Sequence, residues 1–110
     1  MAWYLTRTRL APETVGALMN EPQDRSVQVG EVAEANGCKL HHMFWAMGDC
    51  DVVTLIEGPS DEDVMAVLMT IFAGGAANAM STTKLIPMSD GVDILRTAAE
   101  RRGDYKALTE

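Results

Sequence analysis

The chain is short of the residues on which most catalysis and most secretion depend. It holds two histidines, two cysteines, and two each of tryptophan, tyrosine and phenylalanine. Its nine Lys and Arg are outnumbered by sixteen Asp and Glu, for a net charge of −7. Nucleic-acid binding rests on basic side chains neutralising phosphates. The basic residues here are scattered, with Arg101-Arg102 the one adjacent pair, so no nucleic-acid partner is expected. No apolar run approaches the roughly 20 residues a membrane span needs, and no membrane partner is expected. Met1-Ala2-Trp3-Tyr4-Leu5 lacks the basic region and cleavage site of a secretory leader, which predicts a cytoplasmic protein. Low-complexity tracts, linkers and CxxC pairs are also missing.

What is present is a globular composition, 47% hydrophobic and 23% charged over 110 residues. That is one domain near the size at which self-association commonly helps. We read it as residues 1–103, followed by a polar tail over 104–110.

Phe44-Trp45-Ala46-Met47 and Val52-Val53-Thr54-Leu55-Ile56 are β-rich runs separated by Gly48-Asp49, which predicts a hairpin. Gly48, Asp49 and Asp51 are its turn residues, since Asp at such corners hydrogen-bonds the backbone. A strand over Ala2 to Leu10 leads into helical segments that begin at Pro12 and near Gln23, the second stopped by Asn36-Gly37. Strands follow over Lys39–Met47 and Asp51–Glu57. Ser60 and Asp63 form the clearest helix start, and Val64, Val67, Leu68, Ile71 and Phe72 keep helical spacing to Gly74-Gly75. A fourth strand spans Asn78–Met88. Ser89 or Asp90 then caps a last helix carrying Val92, Leu95 and Ala99.

The order is βαββαβ with an extra C-terminal helix, which predicts a ferredoxin-like α+β fold: an antiparallel sheet with its helices on one face. The uncovered face of such a sheet should alternate apolar with polar. Here Met43, Trp45 and Met47 are expected on one face, opposite Leu40, Phe44 and Ala46, and Val52 and Ile56 oppose Val53 and Leu55. Both faces are apolar, so a homodimer packing sheet on sheet into a barrel is expected. An interface of about 800 Å² per partner would suffice.

Trp45-x-x-Gly48-x-x-Asp51, then Glu57-x-Pro59-x-Asp61-Glu62, an Ala- and Gly-rich helix end and Thr82-Thr83-x-Leu85 resemble the GYD domain family over roughly residues 2–98. Gly48 and Asp51 are retained, and the tyrosine position is Cys50. The resemblance implies membership of the dimeric α/β-barrel superfamily and no settled activity. Its wider relatives include cofactor-independent oxygenases, haem enzymes, isomerases and ligand-sensing modules.

Candidate ligand-binding residues are His41, His42, Trp45, Arg7 and Tyr4. Neighbours on a strand face opposite sides, so one of His41 and His42 at most should enter the cleft between subunits. There it serves either as a general base or as a hydrogen-bonding group. Trp45 is either an apolar pocket wall or packing, and Arg7 is placed to hold an anion or to end in solvent. Met43, Met47, Met65 and Met69 are expected to fill core gaps. Cys50, in a turn and flanked by Asp49 and Asp51, is a poor nucleophile. Extended along a strand, Cys38 and Cys50 stand roughly 30 Å apart, too far for a disulfide. A metal site joining His41 or His42 to Cys50, Asp49 or Asp51 would span about 20–30 Å, so no metal and no cofactor is expected. Gly74-Gly75 follows a helix, whereas phosphate cradles precede one. The expected function is a small homo-oligomeric binding or regulatory protein with an apolar pocket in the barrel. The alternative is a cofactor-independent oxygenase or isomerase acting on an aromatic or apolar molecule.

Overall fold

The structure, a computed structural model, describes residues 1–109. Its elements run β1 (Ala2–Leu10), α1 (Pro12–Asn20), α2 (Ser26–Ala35), β2 (Lys39–Trp45), β3 (Val52–Gly58), α3 (Asp61–Ala73), β4 (Ala77–Leu85) and α4 (Gly91–Arg101), with a 3₁₀ turn over Arg102–Asp104. The four strands form one sheet in the order β2-β3-β1-β4, and every neighbouring pair is antiparallel. This is the ferredoxin-like arrangement. No helix among the described residues is long and apolar enough to cross a membrane.

Strand periodicity places Tyr4, Thr6 and Thr8 of β1 and Val52, Thr54 and Ile56 of β3 on the helix side, where all six are buried. α2 contributes Ala33, and α3 contributes Val64 and Val67, to a core closed by Cys38 and Ile56. α3 starts where the sequence says it should. Asp63 N–H donates to Ser60 Oγ at 3.1 Å, and Ser60 Oγ–H donates to Asp63 Oδ2 at 2.8 Å. Both cysteines are free and buried, Cys50 included although it lies in the loop between β2 and β3.

Three expectations are corrected. The second strand ends at Trp45 rather than Met47, and Ala46–Asp51 is a loop in which Gly48 has φ +133°. That backbone favours glycine. Second, β2 carries an irregularity between Leu40 and His42: Leu40 pairs with Ile56 and His42 with Leu55, leaving His41 as the extra residue of a bulge. The bulge changes the strand's phase, so Leu40 lies on the helix side together with Met43 and Trp45, while Phe44 pairs with Val53 on the open side. Third, α4 has no side-chain cap, neither from Ser89 nor from Asp90, and none of its residues is buried. It stands away from the domain. The radius of gyration is 18.0 Å and the longest dimension 59 Å, against roughly 13 Å of radius for a compact chain of this length.

Candidate functional site

The open face of the sheet carries Trp3, Leu5 and Arg7 of β1, Val53, Leu55 and Glu57 of β3, and Phe44 of β2, a set fixed by the β1–β3 and β2–β3 registers. Both histidines join it. His41 Nε2 lies 2.9 Å from Glu57 Oε1, with its ring 4.4 Å from that of Trp3. His42 stacks on Phe44 at 5.6 Å with 15° between planes. The rule that neighbours diverge fails here because His41 is itself the extra residue of the bulge, which breaks the alternation of faces between it and His42. Arg7 is exposed on the same face, paired in register with Val53 and Ser81.

Trp45 and Tyr4 lie on the other side. Trp45 pairs with Val52 and is 67% exposed at the rim of a cavity of about 380 Å³ between sheet and helices. Thr8, Val52 and Thr54 form its floor, and Leu18, Val32 and Ile71 supply walls from α1, α2 and α3. Gln23 to Arg25 of the α1–α2 connection, all exposed, also line it. There Asp24 accepts the Ser26 N–H at 2.9 Å, and the Ser26 hydroxyl and N–H together hold its carboxyl below the usual range. A second pocket of about 300 Å³ sits at the β2 edge beside α2, lined by His41 and His42. Arg7 lines neither. The sequence reading grouped Trp45, the histidines and Arg7 around one cleft, and the fold separates them onto two faces of the sheet.

Tyr4 is a core residue. Its hydroxyl donates to Asp61 Oδ1, the same oxygen that Lys84 Nζ reaches at 2.9 Å. The Asp61 hydrogen bond and then burial push the Tyr4 phenol from 10.0 up to about 12. The Tyr4 hydroxyl, and after it Lys84, hold the Asp61 carboxyl below the usual range. The signs follow from linkage. Tyr4, raised on folding, stabilises fully below its unfolded value, and that contribution is lost as pH rises through about 12. Asp61, depressed on folding, stabilises above its unfolded value, and its contribution is lost as pH falls through the folded one. In a Tyr105→Phe background, phenolate absorbance should therefore titrate with a midpoint near 12, and Asp61→Asn should bring that midpoint down toward 10.0. An unchanged midpoint would show that Asp61 does not hold the phenol.

Asp51 fixes the hairpin to the centre of the sheet. Its Oδ2 accepts the Leu10 N–H at 2.8 Å, its own N–H donates to the Thr8 carbonyl at 2.9 Å, and Arg9 Nε stands 4.0 Å away. The turn residues were expected to bond their own turn. Asp51 instead bonds β1, and Asp49 is exposed with no side-chain hydrogen bond among the described residues. Burial and, next, Asp63 push the Cys38 thiol up, which suits an inert core position.

Sequence reasoning did not single out Trp3, Glu57, Asp61 or Lys84. Glu57 and Asp61 were legible as the carboxylates of the Glu57-x-Pro59-x-Asp61 motif, but not their partners, which strand pairing alone supplies.

No curated protein sequence matches the chain. Among solved structures it is similar to FFRP-DM1 (14% identity, TM-score 0.51, covering 78% of this chain and 100% of that one). It is also similar to MtbAldR (14%, 0.57), covering 77% of this chain and 52% of that one. A third is TTHA0845 from Thermus thermophilus (17%, 0.53), with 78% and 94% covered. At such identities these likenesses speak for the fold alone. The model of the GYD domain matches residues 4–95, the span that holds the bulged edge strand, the Asp51 tether and the Ser60 cap, and the chain belongs to the GYD domain family.

Proposed function

We propose that this is a small homo-oligomeric binding or regulatory protein that takes up an apolar small molecule in the cavity between its helices and sheet. The cavity itself supports this reading. At about 380 Å³ it falls within the range of ligand sites, which are mostly apolar with a few placed polar groups. Val52, Val32, Leu18 and Ile71 provide apolar lining, and Thr8 and Thr54 provide hydroxyls on the floor. The charged residues that line it, Asp24 and Arg25, are exposed, which leaves the lining largely apolar and suits it to holding a molecule rather than transforming it. The enzyme alternative draws on the His41–Glu57 pair, an imidazole oriented by a carboxylate. That pair lies on the opposite face of the sheet from Trp45, and its His41 lines the smaller pocket at the β2 edge, not the larger cavity.

The self-association in this proposal uses the open face. Trp3, Leu5, Val53 and Leu55 are half-buried there, on the face opposite the helices that form the core.

Trp45 reports on the cavity. In a Trp3→Phe background, titration with anilinonaphthalene sulfonate as an apolar probe should quench Trp45 saturably. Thr8→Met, which extends into the cavity from its floor, should weaken that binding while near-ultraviolet circular dichroism stays native. Saturable binding that Thr8→Met leaves unchanged would place the probe elsewhere and overturn the assignment.

A further inference from the structure

α4 is an amphipathic helix with no extensive packing partner among the other helices and strands of the described residues. At 100° per residue, Val92, Ile94, Leu95, Ala98 and Ala99 occupy one side, and Asp93, Arg96, Thr97, Glu100 and Arg101 the other. Val92, Ile94 and Leu95 are 45%, 51% and 70% exposed, and the extensive contacts of α4 are with the 3₁₀ turn that follows it. An uncapped helix of 11 residues is below the length of about 12–15 at which isolated helices become even marginal in water. Tertiary packing must hold it.

A matching surface lies on α3. The inner side of that helix, Val64 and Val67, enters the core. Its outer side presents Met65, Met69 and Phe72 at 55%, 63% and 46% exposure, where the sequence reading had placed the two methionines in core gaps. This stripe and the stripe from Val92 to Ala99 each cover about two turns, roughly 10 Å of helix. The charges match in one orientation. α3 opens with Asp61, Glu62 and Asp63 and has no basic residue in its last turn. α4 has Asp93 in its first turn and Arg101 in its last, followed by Arg102. Antiparallel packing sets Arg101 and Arg102 beside the acidic turn, and opposes the two helix dipoles favourably.

The chain's own α4 is badly placed to do this. It leaves the sheet at the end where Lys84 meets Asp61, beside the start of α3. Folding back from there would run it parallel to α3, with Asp93 against the three acids and the arginines at the far end. We propose that α4 is an arm that packs antiparallel on α3 of a second copy of this chain, Leu95 against Met69, with Arg101 and Arg102 on the acidic turn. A two-fold pair would make this contact twice. It involves neither the cavity nor the open sheet face.

The test is site-directed crosslinking of the full chain. The native thiols, Cys38 and Cys50, are buried. Met69→Cys and Leu95→Cys protein, the second carrying a mass tag, are unfolded, mixed and refolded together, then mildly oxidised. The expected product is a heterolinked dimer joining Met69→Cys to Leu95→Cys. Arg101→Glu with Arg102→Glu on the Leu95→Cys chain should abolish it, and Glu62→Arg on the Met69→Cys chain should restore it. Leu95→Cys chains linked only to each other would overturn the proposal. So would a bond closing within a single chain in the Met69→Cys/Leu95→Cys double variant. Circular dichroism of each variant guards against loss of fold. These products report on neither Trp45 nor Leu55, so failure here is distinguishable from failure of the cavity or open-face readings.

Discussion

Gly58→Ala is expected to lower stability by about 1–3 kcal/mol, the usual cost of overpacking a filled core. For a domain of this size that is a fall of roughly 10 °C in melting temperature. A Cβ at Gly58 would stand 2.5 Å from Val64 Cγ2 and 2.9 Å from Cys38 Sγ, well inside contact distance. Neither neighbour can give way easily. Val64 and Cys38 are both in the core cluster, and Gly58 itself is held by pairing with Ala2 at the end of the sheet. The cause can be isolated with Val64→Ala, which removes the closer methyl. The double variant should be less destabilised than the two single losses added together, because the sites share one volume. Thermal unfolding of the four proteins gives the coupling directly. Strict additivity would show that the close approach at Gly58 is not what makes alanine costly.

In a chain carrying Arg101→Glu and Arg102→Glu, so that the α4 arm no longer joins copies, Leu55→Arg is expected to convert the open-face assembly to a monomer of 11.9 kDa. Leu55 lies in the central strand pair of the open face, between Leu5 of β1 and His42 of β2. In a face-to-face assembly the substitution enters the interface from both copies. An unpaired charge buried in this way costs on the order of 3–5 kcal/mol, so association should weaken by a factor of several hundred or more. A separate monomer can leave the arginine in water, so its circular dichroism and cooperative unfolding should be preserved. Leu55→Met, similar in volume and uncharged, should leave the assembly intact. Sedimentation at micromolar concentration decides the matter. Arm-variant protein that already sediments as a monomer, or that still assembles once Leu55→Arg is added, would remove the open face as the interface.

Most of the architecture was legible in the sequence because its signals are local. The Ser60–Asp63 start of α3 depends on residues three apart, and the two-faced apolar pattern of β3 depends on a period of two. Both appear in the structure as read. The candidate site was less legible because its composition depends on what each strand pairs with. Whether His41 and His42 share a face is decided by a bulge that exists only relative to Leu55 and Ile56 across the ladder. That same phase change carries Trp45 to the helix side and leaves Arg7 behind it. Tyr4 and Asp61 are far apart in the chain, and their hydrogen bond required the fold before it could be seen. α4 reads correctly as a helix, but amphipathicity says only that one side wants cover. It does not say which surface provides it.

The bulge at His41 also governs how this sheet can grow. A sheet with two free edges can recruit further strands without limit, and proteins that avoid fibrous aggregation interrupt at least one edge. β2 is such an edge, and at His41 its outward row of N–H and C=O groups falls out of step. An incoming strand would lose register part-way along and meet the side chains of two histidines. β4, the other edge, has its irregularity only at its first residues, opposite Leu10, and then runs without interruption from Ala79 to Leu85. Polymerisation by strand addition is therefore obstructed on one side, and a stack that requires both edges of every copy cannot propagate.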